Sequence, residues 1–147
     1  MDEQMKNDTL LMMLIGFGVI MFFRFLPRIQ AKIMGVPFVN PDEVKARVDS
    51  GDVMVIDVRT KAEFTGDLGH IEGALNLDSM KLAEKLRELG EQLEPYKDQT
   101  ILITCRTHNR SPKAARLLFQ SGFKKLMILN NGMSGWNRAG YPVAYKL

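Results

Sequence analysis

The chain has 147 residues, enough for one domain with a buried core, and its composition limits what that domain does. Its single cysteine excludes an internal disulfide and argues against an oxidised, secreted scaffold. The formal net charge of +3 is modest, and no stripe of Lys and Arg is interleaved with aromatic residues, so nucleic-acid binding has no support.

The first predicted element is an apolar run, Leu10–Phe23, of fourteen residues without a charged side chain. A membrane span needs about 17–25 residues, and the count reaches seventeen at Leu26. The preceding segment is net acidic and no small-x-small cleavage site follows, unlike a cleaved secretory signal. A buried core helix would show a polar face, which this run lacks. We therefore expect an N-terminal tail over residues 1–8, a transmembrane helix over residues 9–26 and a linker over residues 27–36.

Basic residues follow this span and predict its orientation. Arg24, Arg28 and Lys32 lie at or just after its end, whereas the segment before it is acidic. Positively charged flanks stay on the cytoplasmic side of a membrane. We therefore expect a single-pass protein of the cytoplasmic membrane whose C-terminal domain faces the cytoplasm, where a lone thiol stays reduced.

Residues 37–147 read as one soluble domain in which helices alternate with strands. Helices are predicted over residues 40–51, 79–90, 111–122 and 133–140, and strands over residues 53–57, 100–104 and 125–130. This alternation predicts an α/β fold with a mostly parallel central sheet flanked by helices. Ligands bind beyond the carboxyl ends of such strands, where Asp57 and Cys105 are both expected.

The segment CRTHNRSP connects the predicted strand 100–104 to a helix. The turn directs its backbone N–H groups toward a helix N-terminus, where they lack partners and attract anions. Arg106 and Arg110 add positive charge, so a thiolate at Cys105 would be stabilised and reactive. The alternative is a buried, inert cysteine that ends a strand. Two arginines within the next five residues argue against such an apolar position.

Four segments, in order, resemble the single-domain rhodaneses, a family of sulfurtransferases. They are VIDVR at 55–59, EF at 63–64 followed by GHIEGALN at 69–76, CRTHNRS at 105–111, and NGMSGW at 131–136. The resemblance extends from about Phe38 to Val143 and implies a rhodanese-like fold. It also implies that Cys105 carries sulfur as a persulfide and that Arg110 binds an anionic donor such as thiosulfate. Backbone amides of the loop would hold the outer sulfur, through Arg106, Thr107, His108, Asn109 and Ser111.

The sequence departs from the family pattern at two positions. His108 stands where glycine is frequent, and its side chain either projects to solvent or assists proton transfer or anion binding. Asn131 replaces the first of two usual glycines and tolerates the left-handed conformation. We expect no cofactor and no metal, because two histidines and one cysteine are too few for a zinc site.

Supporting roles are predicted for four further motif residues. Asp57 is expected to accept hydrogen bonds from the loop, and Arg59 to pair with Glu63. His70 is expected to fix a turn, and Trp136 to anchor the last helix by packing.

Three functions are compatible with these residues. The first is a membrane-tethered sulfurtransferase that moves sulfane sulfur from thiosulfate or a persulfide to a thiol, cyanide or a protein acceptor. The second is a non-catalytic adaptor at the membrane, and the third a cysteine-dependent phosphatase or arsenate reductase. The presence of both Cys105 and Arg110 favours the first over the second. Four residues separate them, where related phosphatases have five, which favours the first over the third.

Overall fold

The computed structural model describes residues 3–147. Its helices are α1 (Glu3–Ile33), α2 (Pro41–Asp49), α3 (Lys61–Phe64), α4 (Leu82–Leu89), α5 (Ser111–Gln120) and α6 (Gly132–Arg138), with a 3₁₀ helix at Gly90–Tyr96. Its strands are β1 (Phe38–Val39), β2 (Met54–Asp57), β3 (Leu75–Asn76), β4 (Thr100–Thr104) and β5 (Lys125–Leu129). The predicted α/β architecture is confirmed.

The five strands form one sheet in the order β1-β5-β4-β2-β3. All four strand pairs are parallel, and the central strand β4 pairs with β2 on one side and β5 on the other. Parallel strands carry their carboxyl ends at the same edge of a sheet. This arrangement places Asp57, which ends β2, beside the residues that follow β4, as the sequence predicts.

Helices cover both faces of the sheet, and alternate residues of β4 face opposite sides. Ile101 and Ile103 pack in one core cluster with Leu118 of α5, whereas Leu102 packs in a second cluster with Trp136 of α6. All three β4 side chains are completely buried. Burial on both faces explains why this strand reads as an unbroken apolar run in the sequence.

Besides the 3₁₀ helix, three short elements were not predicted from the sequence: β1, β3 and α3. The two strands have two residues each and α3 has four. A periodic pattern needs a longer window, so these elements are set by pairing and capping. In α3, the Oγ1 atom of Thr60 accepts a hydrogen bond from the backbone N–H of Glu63, and the Glu63 carboxylate accepts one from the backbone N–H of Thr60.

Helix α1 is longer than the predicted membrane span. It begins at Glu3, inside the predicted tail, and continues through most of the predicted linker to Ile33. The linker region is ordered because Ala31 and Val36 are buried in the core cluster that also contains Leu118. By contrast, the apolar side chains from Leu10 to Ile20 are exposed. In length and composition this helix is able to cross a membrane, and it is the one such helix in residues 3–147.

Candidate active site at the end of β4

Cys105 follows the last residue of β4 and is 1% exposed. Its position at the carboxyl edge of the sheet agrees with the prediction. Its side chain, however, packs in the core cluster that contains Ile103 and Ala114, so the expectation that the two arginines keep it out of an apolar position is wrong. We call residues 105–111 the cysteine loop, which leads directly into α5 at Ser111. The backbone carbonyl of Cys105 accepts a hydrogen bond from the Met133 N–H at 2.8 Å, and that of Arg106 accepts one from the Ser134 N–H at 3.0 Å.

Gly132 allows the start of α6 to approach the cysteine loop this closely. Its φ is +51°, and a Cβ atom there would lie 2.3 Å from the Cys105 carbonyl oxygen and 2.7 Å from that of Thr107. The preceding Asn131 has a φ of 57°, as predicted from its tolerance of the left-handed region. The NGMSGW motif therefore holds the backbone of the cysteine loop in place.

The cysteine loop is rich in hydrogen-bond donors that have no described acceptor. Within residues 3–147, no backbone oxygen accepts a hydrogen bond from the N–H groups of residues 106–111. The Oγ atom of Ser111 is fully buried and has no described partner. Donors left unpaired at a helix start bind anions, including a thiolate or a persulfide.

Arg110 forms a two-point ion pair with Glu63 of α3. Its Nη1 and Nη2 atoms donate to the two carboxylate oxygens at 2.8 and 2.7 Å. This pair lowers the pKa of Glu63 to about 2 and raises the pKa of Arg110, chiefly through its hydrogen bonds. A negative charge at Cys105 is a smaller cause that also raises the pKa of Arg110. The predicted pairing of Glu63 with Arg59 is wrong.

Arg59 instead pairs with Asp57, and both side chains are completely buried. The Nη2 atom of Arg59 donates to an Asp57 carboxylate oxygen at 2.7 Å and to the Gly69 carbonyl oxygen at 2.6 Å. The Asp57 carboxylate also accepts from the Arg59 backbone N–H at 3.1 Å. The expectation that Asp57 accepts from the cysteine loop is therefore wrong. A buried carboxylate such as that of Asp57 is stable only beside a cation, and Arg59, two residues later in the chain, supplies it.

His108 does not project freely into solvent. Its ring lies edge-on to Phe38, with 6.4 Å between centroids, and its Nδ1 atom is buried without a described partner. Burial lowers the pKa of His108, and the charges of Arg28 and Arg24 lower it further. Both effects favour the neutral imidazole over the charged one.

The remaining loop side chains differ in exposure. Arg106 is half exposed and lies 3.9 Å from the Asp67 carboxylate, a weak surface contact. Asn109 is exposed, and Thr107 is partly buried. Arg106 and Asn109 thus present the cysteine loop to solvent.

The predicted structural roles of His70 and Trp136 are confirmed. The His70 Nδ1 atom is 2.8 Å from the Phe64 carbonyl oxygen, and the two rings stack with 3.6 Å between centroids. Trp136 is 1% exposed, and its indole N–H donates to the Pro142 carbonyl at 3.0 Å.

Two contributors to the site were not recognised from the sequence, Glu63 as the partner of Arg110 and Gly132 as the support of the loop. Both fall in quoted motifs, but their partners are distant in sequence. Among the described residues, no group of three or more His, Cys, Asp or Glu side chains is arranged to hold a metal ion.

Comparisons with known proteins agree with this geometry. The family model "Rhodanese-like domain" matches residues 40–139. The tRNA uridine(34) hydroxylase of Enterobacter sp. (strain 638) is 30% identical over 112 residues, which cover 74% of this chain and 32% of that protein. The chain thus spans about a third of the length of the curated relatives it matches.

Solved structures show the same fold. The rhodanese-related protein of Thermoplasma volcanium superposes with a TM-score of 0.62 at 25% identity, over 75% of this chain and 99% of that one. A human single-domain sulfurtransferase superposes with a TM-score of 0.60 at 21% identity, over 70% of this chain and 96% of that one. The matched range contains the cysteine loop, the Glu63 helix and the start of α6, so the chain belongs to the family of rhodanese-like domains.

Proposed function

We propose that the chain is a membrane-tethered sulfurtransferase that carries sulfane sulfur as a persulfide on Cys105. The observation that supports this most directly is that the thiol precedes a loop, residues 106–111, whose N–H groups have no backbone acceptor within residues 3–147. These donors are arranged to stabilise negative charge on the sulfur of Cys105 and on a second sulfur bound to it.

The reaction has two displacement steps. The Cys105 thiolate attacks the outer sulfur of thiosulfate, the S–S bond of thiosulfate breaks, and sulfite leaves with the electron pair. The acceptor, cyanide or a thiolate, then attacks the outer sulfur of the persulfide and regenerates the Cys105 thiolate. No electrons are gained or lost overall, so the reaction needs no external oxidant or reductant.

Arg110 supplies positive charge for the anionic donor. Its guanidinium is already held by Glu63, and this pairing fixes its orientation beside the loop. The planar fork retains further N–H groups for a donor oxygen. Arg106 is half exposed and offers a second cation at the mouth.

Membrane attachment is supported by α1, whose apolar side chains from Leu10 to Ile20 are exposed to the surroundings. Exposed apolar surface of this extent is costly in water and is stabilised in a bilayer. Arg24, Arg28 and Lys32 follow and favour a cytoplasmic location for the domain.

The adaptor and phosphatase alternatives have less support. An adaptor has no need for a paired Arg110 or for free amides around a thiol. Phosphatase chemistry needs a wider loop than the four residues between Cys105 and Arg110 provide. Hydroxylase activity, named for the curated relatives, has little support in this chain, because the chain matches only 32% of the length of such a relative.

Steady-state transfer of sulfur from thiosulfate to cyanide tests the proposal. We expect Cys105→Ser to abolish transfer, because an alcohol cannot carry the persulfide. Arg110→Ala should lower kcat/KM about ten- to hundred-fold, as expected for loss of a charged hydrogen bond worth roughly 1.5–3 kcal/mol. Arg110→Lys should recover only part of this loss. Unchanged turnover in Cys105→Ser, with circular dichroism as a folding control, would contradict the proposal.

A further inference from the structure

The last turns of α1 are fixed to the domain beside the cysteine loop. Ala31 is completely buried in the core cluster that includes Ala115 and Leu118 of α5. One turn earlier, the guanidinium carbon of Arg28 lies 5.9 Å from the centroid of the Phe38 ring. These contacts hold α1 in a defined direction relative to the sheet.

That direction leads past the edge of the sheet at which the cysteine loop lies. The Phe38 ring beneath Arg28 is itself 6.4 Å from the ring of His108 in the loop. Going back along α1 from Ala31 to Arg28, the neighbours thus change from the body of α5 to Phe38, whose ring lies beside His108 of the cysteine loop. The helix rises by about 1.5 Å per residue, so the residues before Arg24 extend beyond this edge.

The charge of this edge complements an anionic surface. Arg24 and Arg28 are exposed, and Arg106 is half exposed. Neither Arg24 nor Arg28 forms a salt bridge with a carboxylate whose side chain the structure describes, and Arg106 has only the 3.9 Å contact with Asp67. Arg24 directly follows the apolar run, which is the level where a membrane helix meets the headgroups.

We propose that the sheet edge carrying the cysteine loop faces the anionic lipid headgroups of the membrane that α1 enters, with Arg24, Arg28 and Arg106 in contact with them. This inference rests on the proposed insertion of α1. Cys105 then exchanges sulfur in the headgroup layer, and donors and acceptors reach it along the membrane surface.

Fluorophores on single cysteines test this orientation in the full chain. In a Cys105→Ser background, Asn109→Cys places a label at the tip of the cysteine loop, and Gln99→Cys places a matched label before the start of β4. Both positions are exposed. They are separated by the whole of β4, about 17 Å for five residues. Circular dichroism of each labelled chain should match that of the parent.

The labelled chains are reconstituted in phosphatidylcholine vesicles, with or without phosphatidylglycerol, that contain a headgroup-labelled nitroxide quencher. We expect quenching at position 109 to be several-fold stronger than at position 99, and stronger still with phosphatidylglycerol. Arg24→Gln should reduce the phosphatidylglycerol effect, whereas Lys124→Gln, an exposed residue near the opposite edge, should not.

Two results would overturn the inference and are distinguishable from each other. If the chain remains in the vesicles after alkaline washing but position 99 is quenched as strongly as position 109, the orientation is wrong and the membrane anchor stands. If the chain is washed off the vesicles, both the anchor and the orientation fail. A phosphatidylglycerol effect that Arg24→Gln does not change would refute the headgroup contact.

Discussion

The two arginines of the cysteine loop form ion pairs of different strength. This difference determines how firmly each positive charge is fixed in the loop. Arg110 is held by both carboxylate oxygens of Glu63, whereas Arg106 has one contact of 3.9 Å with Asp67. Arg110 is thus a fixed charge and Arg106 an adjustable one. A fixed guanidinium costs less entropy when a donor anion binds than a free one does.

Glu63→Gln tests the contribution of this ion pair to stability. Because the folded-state pKa of Glu63 is lowered from 4.5 to about 2, its contribution is complete above pH 4.5 and is lost as the pH falls through about 2. Both side chains are partly exposed, so solvent screening leaves about 1–2 kcal/mol at neutral pH.

Denaturant unfolding of the detergent-solubilised chain between pH 7 and pH 2 measures this effect. The difference between parent and Glu63→Gln should shrink below pH 4.5 and vanish near pH 2. Glu72→Gln, an exposed control, should change the free energy of unfolding by less than about 0.5 kcal/mol at any pH. A difference for Glu63→Gln that stays constant over this range would show that the pair does not stabilise the fold.

At the scale of elements, the site is built where three loops meet at the carboxyl edge of the sheet. The cysteine loop follows β4, Glu63 lies on α3 after β2, and Gly132 begins α6 after β5. The N-terminus of α6 donates two hydrogen bonds to the carbonyls of Cys105 and Arg106. The position of the thiol therefore depends on an element more than twenty residues further along the chain.

Gly132→Ala is expected to displace the cysteine loop. The added Cβ would lie 2.3 Å from the Cys105 carbonyl oxygen, and Gly140→Ala offers a matched control with φ of +77° and open space around the new Cβ. We expect Gly132→Ala to cost about 1–3 kcal/mol more than the control, the usual range for overpacking.

The same pair of variants is compared by alkylation of Cys105. The rate of reaction with iodoacetamide should change several-fold in Gly132→Ala and stay near the parent value in Gly140→Ala. Equal unfolding free energies and equal alkylation rates for the two variants would mean that α6 does not position the loop.

The sequence predicts the long elements of this fold and the location of the thiol because both leave local patterns. The buried strand β4 and the amphipathic helix α5 show continuous and periodic apolar residues, and Thr100–Thr104 is predicted with its observed bounds. The ion pairs are not predictable in this way. Arg59 lies near two carboxylates in the sequence, those of Asp57 and Glu63. Its pairing with Asp57 depends on the backbone conformation at the end of β2. The Arg110–Glu63 pair joins residues 47 positions apart and exists only in the folded chain.

At the scale of the whole molecule, α1 and the domain are one continuous structure. The predicted linker is helical to Ile33, because Ala31 fits against α5. The linker prediction over residues 27–36 rests on the change in composition between the apolar run and the soluble domain, and this change does not reveal the packing of Ala31. If α1 enters a membrane as proposed, this rigid connection constrains the orientation of the domain as well as its distance from the bilayer.

Membrane fractionation tests the role of α1. We expect the full chain to remain in the membrane pellet after carbonate washing. Leu14→Glu combined with Phe17→Glu should release it, because each central charge disfavours insertion by roughly 2–4 kcal/mol. Protease added outside intact cells should leave the domain uncut. A parent chain found in the soluble fraction would contradict the anchor.

Formation of a persulfide on Cys105 is the most direct test of the central claim. The full chain is incubated with thiosulfate, freed of excess donor, and its intact mass is measured with and without subsequent cyanide. We predict a gain of one sulfur atom, located on Cys105 by peptide mapping and removed by cyanide, and no gain in Cys105→Ser. A folded parent chain that gains no sulfur from thiosulfate or from a low-molecular-weight persulfide would contradict the proposed sulfurtransferase function.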